Sequence, residues 1–145
     1  MAITQTLATS FKVELLQGLH NFGPTSPNTF YMALYSSSAS LGAATPVYTS
    51  AGEVTGTGYT AGGKALTVST TPTYGGSGTT AYLGFADVTW ILATLTAAGA
   101  LIYNSTNGNR AVAVLSFGGD KTSTGSNFTV QFPTTDATSA IVRVA

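Results

Sequence analysis

Apolar positions fall at helical spacing in one stretch and alternate through most of the rest. Phe11, Leu15, Leu19 and Phe22 recur at intervals of four, four and three, which places them on one helix face. Val13 and Leu16 widen that face, and Lys12, Glu14 and Gln17 lie on the other side. Ser10 can cap the start. Gly23–Pro24 supplies the stop, because proline lacks the N–H that a helix needs and restricts the residue before it. The spacing predicts a helix over about residues 9–21. Beyond it, runs at 28–35, 64–69, 81–90, 98–103, 110–117, 127–132 and 140–144 read as strands bounded by Gly, Pro, Ser and Asn. The polar tip holding Asn107–Gly108, between two apolar runs, is a hairpin signal. The pattern therefore predicts a mainly β fold, an antiparallel β-sandwich or barrel with one N-terminal α-helix. No linker divides the chain, so 1–145 reads as a single domain, with 1–9 a candidate arm. Ser36–Ala44 and Ser69–Thr80 read as long surface loops.

Composition narrows what such a fold can do. The chain has 145 residues, enough to bury a core without staples. Charged residues make up 7%, against about 25% in an ordinary domain. Ser and Thr together fill 40 positions, so the surface is largely neutral hydroxyl. Five Lys and Arg balance five Asp and Glu, and the cations are scattered. That pattern argues against a nucleic-acid partner, which demands clustered cations. It argues equally against electrostatic membrane binding. The absence of cysteine removes disulfide scaffolds, thiol catalysis and zinc-thiolate sites. Met1–Ser10 has neither the basic start nor the apolar run of a signal peptide. The apolar-leaning stretch Trp90–Tyr103 is broken by Thr94, Thr96 and Gly99 and is too short to span a bilayer.

Chemistry-bearing residues are few and dispersed. The acids are Glu14, Glu53, Asp87, Asp120 and Asp136, with His20 the single histidine. This spacing offers no local metal-ligand set and no acid–base pair, so the expectation is a non-enzyme without cofactor or metal. His20 reads as a core-edge or helix-end histidine rather than a base. Gly56–Gly63 lacks both the third glycine of a dinucleotide loop and the Gly-Lys-Ser/Thr ending of a phosphate loop. It reads as a glycine-rich turn leading into the strand at 64–69. Asp87 reads as an outward strand residue or a charge satisfied by a neighbouring turn. The tyrosines and Trp90 suit core and subunit contacts better than a sugar platform.

Several phrases together resemble a known family. Residues 52–68, GEVTGTGYTAGGKALTV, follow a helix opening Phe11–Leu16 and a strand FYMALY. FADVTW, GALIYN and NRAVAVLSFGGDK come after them. Over roughly residues 10–135 the chain is similar to small structural proteins of tailed-bacteriophage virions. The resemblance implies a capsid decoration or cement protein, commonly a trimer at three-fold positions, bound to the major capsid protein. It implies a virion location, with assembly in the host cytoplasm, and carries no catalytic residue or cofactor. The loops 36–63 and 69–80 hold too few bulky apolar residues to pack on themselves, and ordering them is costly. Leu41, Val47, Tyr48, Val54, Tyr59 and Tyr74 are therefore the expected interface residues, buried by neighbouring subunits. A neck, tail or baseplate part, or a glycan- or receptor-binding module, remains open as an alternative.

Overall fold

A hairpin of unusual length organises the molecule. In the computed structural model, which describes residues 2–75 and 78–145, the elements are β1 (Thr6–Leu7), α1 (Thr9–Leu16), β2 (Phe30–Tyr35), β3 (Lys64–Ala65), β4 (Val68–Tyr74), β5 (Ala81–Phe85), β6 (Val88–Asn104), β7 (Arg110–Val130) and β8 (Val142–Val144). One sheet has the order β1-β7-β6-β2-β3 and the other β4-β5-β8, and every strand pair in both is antiparallel. The fold is mainly β with one helix, as the pattern predicts, and its two open sheets do not form a closed barrel. Aromatic rings join the sheets. Phe22 stacks on Phe30 of β2 at 4.2 Å, and Phe30 meets Phe85 of β5 at 6.2 Å.

β6 and β7 pair from Asn104–Arg110 at the tip to Val88–Val130 at the far end. Asn107–Gly108 lies in the connecting turn, as the hairpin signal predicts, but positive φ falls on Gly108 and Asn109 rather than on Asn107, because the connection is the longer 105–109 loop and not a two-residue turn. Near the tip the ribbon is central. β2 runs beside Gly99–Asn104 and β1 beside Ala113–Val114, and Leu101, Ile102, Val112 and Val114 are fully buried. Past Gly99 the ribbon continues without β2. There Trp90, Ala93, Leu95 and Ala97 point inward while Thr94 and Thr96 point to solvent. Two irregularities hide this continuity in the sequence. Trp90 and Ala93 pair with Phe128 and Ser126, so Ile91–Leu92 bulge out. Ala97 and Gly99 pair with Lys121 and Ser116, so Phe117–Asp120 form a wider excursion. Four predicted strand runs therefore supply parts of a single hairpin.

The helix is shorter than its apolar spacing predicts. It ends at Leu16, because Gly18 adopts φ +74° and closes a Schellman cap. Gly18 N–H donates to the Leu15 carbonyl at 3.2 Å, and Leu19 N–H to the Glu14 carbonyl at 3.0 Å. Residues 17–21 are thus outside the helix. Ala8 rather than Ser10 is the N-cap, and the Ser10 hydroxyl is buried without a partner. Phe11 and Glu14 form the buried face, whereas Val13 and Leu16 are exposed.

The described residues of both expected loops are held by this chain itself. Val68–Tyr74 is a strand, β4, paired with β5; its threonines suit an exposed edge and so does Pro72. Gly76 and Ser77, at the end of that stretch, lie outside the described residues, as does Met1 of the candidate arm. The rest of that arm is tied down. Thr4 N–H donates to the Leu41 carbonyl, Leu41 N–H to the Ala2 carbonyl, and Thr6–Leu7 join β7. Among the described residues no helix is long and apolar enough to cross a membrane.

Candidate functional site

Two polar clusters gather most of the reactive side chains, and both join distant segments. The first centres on Glu53. Tyr48 Oη donates to Glu53 Oε2 at 2.6 Å, Tyr59 Oη donates to Oε1 at 2.6 Å, and the Gly62 N–H donates to Oε1 at 2.7 Å. Tyr59 Oη also accepts the Leu34 N–H, Tyr35 Oη donates to the Thr49 carbonyl, and Tyr103 Oη donates to the Gly62 carbonyl. One carboxylate and four phenols thereby lock the 36–63 connection across β2 and β6.

The glycine motif serves this clasp. Gly63 has φ +84°, and a Cβ there would strike the Met32 carbonyl. Gly56 has φ +154° and lies against the Thr94 carbonyl, where Thr94 N–H in turn donates to the Thr57 carbonyl. The loop backbone therefore rests directly on two strands, an approach that a side chain would block. The expected turn into β3 is present, and its purpose is contact with the sheet.

Burial pushes all four phenols toward their neutral form, and the Glu53 charge adds to the effect. The hydroxyls of Tyr48 and Tyr103 are each pushed up to about 12 from the ordinary 10.0. Those of Tyr35 and Tyr59 rise further, from burial first.

The second cluster fastens the helix to the hairpin tip. Glu14 Oε2 accepts from Arg110 Nη1 at 2.7 Å, and its Oε1 lies 3.1 Å from His20 Nε2. His20 Nδ1 faces Asn104 Nδ2 at 3.1 Å. The Asn104 amide is oriented by the Thr106 and Asn107 N–H groups, which donate to its Oδ1. Its Nδ2 must therefore donate to His20 Nδ1, leaving Nε2–H to donate to Glu14. Both ring nitrogens are used and the imidazole is wholly buried, so His20 offers no open nitrogen to a substrate. It is more deeply enclosed than a helix-end residue, and Glu14 belongs to the buried face, not the polar one.

The remaining acids with partners bind backbone. Asp87 accepts the Phe132 N–H at 2.9 Å, which is the satisfied-charge alternative foreseen for it. Asp136 accepts the Thr138 and Ser139 N–H groups, and these hold its carboxyl below the ordinary range. Among the described residues no three His, Cys, Asp or Glu side chains meet as a metal-binding group. A cavity of about 480 Å³ lies where Gln5 and Leu7 face Ile141 and Arg143. Arg143 is its single ionisable side chain.

The six expected interface residues do not form one surface. Leu41 and Val54 are buried in the chain's own core, and Tyr48 and Tyr59 are half-buried on Glu53. Only Val47 and Tyr74 are exposed, and they belong to different segments. The loop residues thus find apolar cover within the molecule, contrary to the expectation that a neighbour must provide it. Glu53 was the missed organiser. Its signal was a single acid among hydroxyl and glycine residues, five and six positions from two tyrosines. No protein-family model matches the chain, and neither a curated protein nor a solved structure matches it.

Proposed function

We propose that the protein is architectural: a structural part of a tailed-bacteriophage virion, a capsid decoration or cement protein. It binds the major capsid protein as a homo-oligomer, a trimer, and works by geometry and burial rather than by turnover. The observation that supports an architectural role is the outer half of the β6/β7 ribbon. Its solvent face presents Thr94, Thr96, Thr122, Thr124 and Thr129, all exposed and uncharged. Thr89 bonds Thr129 at 2.8 Å and Thr96 bonds Thr122 at 2.9 Å, so hydroxyls are already paired across the strands. Such a surface has a low desolvation cost and loses little side-chain freedom on contact. Repetition over a symmetric shell then multiplies modest contacts. The virion assignment rests on the resemblance, whose central phrase is the Glu53–Gly63 clasp.

The test is to locate the protein in a reconstruction of the intact particle and to weigh it against the major capsid protein. The expected result is many copies at three-fold positions outside the head. A small ring of copies at the neck or tail would replace the decoration role. Absence from purified particles would overturn the virion role altogether.

A further inference from the structure

Asn107–Gly108 is the one Asn-Gly pair in the chain, and it sits at the tip between β6 and β7. An asparagine followed by glycine can react with its own backbone. The glycine nitrogen carries no neighbouring side chain to hinder its approach to Asn107 Cγ. Gly108 is exposed, and a Cβ there would meet nothing within 4 Å, so water reaches the pair from that side. The Gly108 N–H has no acceptor among the described residues.

The asparagine itself is held. Its Nδ2 donates to the Leu19 carbonyl at 2.5 Å and lies 3.4 Å from Asn28 Oδ1, and its backbone N–H donates to Asn104 Oδ1 at 3.3 Å. Leu19 follows α1 and Asn28 precedes β2, so this one amide ties the tip to two other segments. Ring closure onto the Gly108 nitrogen draws Cγ and its amide away from both acceptors. The fold therefore opposes the reaction until the tip opens locally.

We propose that Asn107 is a self-modification site, restrained by its contacts with Leu19 and Asn28, and that its deamidation unfastens the hairpin tip. Hydroxide removes the Gly108 N–H proton, and the nitrogen attacks Asn107 Cγ. The new N–Cγ bond replaces the Cγ–Nδ2 bond, whose nitrogen leaves as ammonia. Water then opens the five-membered imide at either carbonyl, giving aspartate or isoaspartate, with no oxidant or reductant. The product carboxylate has no hydrogen to donate. It faces the Leu19 carbonyl and Asn28 Oδ1, both acceptors, and Asn28 Oδ1 already takes the Asn21 N–H and Asn104 Nδ2. The change also adds one negative charge to a chain whose formal net charge is zero. The site does not depend on a virion role.

The test incubates the full chain in mildly alkaline buffer, either folded or in guanidinium chloride. Residue 107 is followed by peptide mapping that separates asparagine, aspartate and isoaspartate. The folded chain should convert about ten- to a hundredfold more slowly than the denatured one, because local opening precedes ring closure. The converted chain and Asn107→Asp should both melt below the wild type. Asn107→Ser keeps a neutral donor; it should not convert, and it should melt above Asn107→Asp. That order separates the effect of the carboxylate from that of any substitution at this position. If Asn107→Asp does not fold, the chain converted during incubation supplies the melting comparison. Equal rates in the folded and denatured chains overturn the restraint. A folded chain still intact at Asn107 after about a hundred half-lives of the denatured one overturns the site. A converted chain that melts with the wild type overturns the unfastening.

Discussion

Glu53 is half-buried and accepts from two phenols and one backbone N–H, so its loss strands three donors at once. Charge-assisted bonds of this kind are stronger than neutral ones. Glu53→Ala should destabilise the fold by about 2–4 kcal/mol in urea denaturation, with Glu53→Gln milder because it still accepts. The phenols give a pH signature. Each is neutral in both states below pH 10.0, so no stability is lost there. Above it the unfolded chain ionises first, while Tyr48 and Tyr103 remain protonated until about 12. The folded state then binds more protons, and stability falls with rising pH by at most about 1.4 kcal/mol per unit for each such tyrosine. Denaturation midpoints should therefore drop from pH 10 upward, with delayed tyrosinate absorbance in the native chain. Constant stability to pH 12 would contradict the buried clasp. The sequence marked Tyr48 and Tyr59 as important but not their direction. A loop tyrosine reads equally as a partner contact or as an internal donor until the loop's curvature is known. Replacing both with Ser should accordingly unseat the loop before it touches any assembly.

Glycines separate the elements whose ends were legible from those whose ends were not. Gly18 stops α1 by its left-handed backbone, and a Cβ there meets nothing within 4 Å. Gly18→Ala should cost only the backbone strain, about 1 kcal/mol. Gly63 carries comparable strain and also lies on the Met32 carbonyl of β2. Gly63→Ala must shift strand backbone as well, and should cost at least about 2–3 kcal/mol. Thermal melts of the two variants test this order, and equal losses would refute it. β2 and the hairpin tip were readable because each depends on local chemistry, whereas the helix starts from Ala8 with no side-chain cap and not from Ser10. The single β6/β7 ribbon was not, since Ile91–Leu92 and Phe117–Asp120 interrupt the alternation that would have joined its halves. The helix end was obscured by Phe22, which continues the apolar period. Phe22 is buried through its rings with Phe30 and Phe85 rather than by a helix.

At the scale of the whole molecule, charge is scarce and largely committed. Glu14 is held by Arg110 and His20, Glu53 by tyrosines, and Asp87 and Asp136 by backbone N–H groups. Only a few charged groups remain for long-range attraction, and five cations balance five anions. Salt acts on an association by screening the charges that it brings together. Docking through threonine and apolar surface should therefore respond weakly to ionic strength, unlike contacts steered by a charged patch. Binding of the purified protein to empty capsids, measured from low to high salt, should change by no more than about threefold. A steep loss of binding as salt rises would mean that scattered residues such as Lys12, Lys64 and Lys121 act together on an acidic partner. The hydroxyl surface of the ribbon would then be incidental to docking. A flat response, combined with loss of binding when Thr94, Thr96, Thr122 and Thr124 are replaced by Lys, would assign docking to the ribbon.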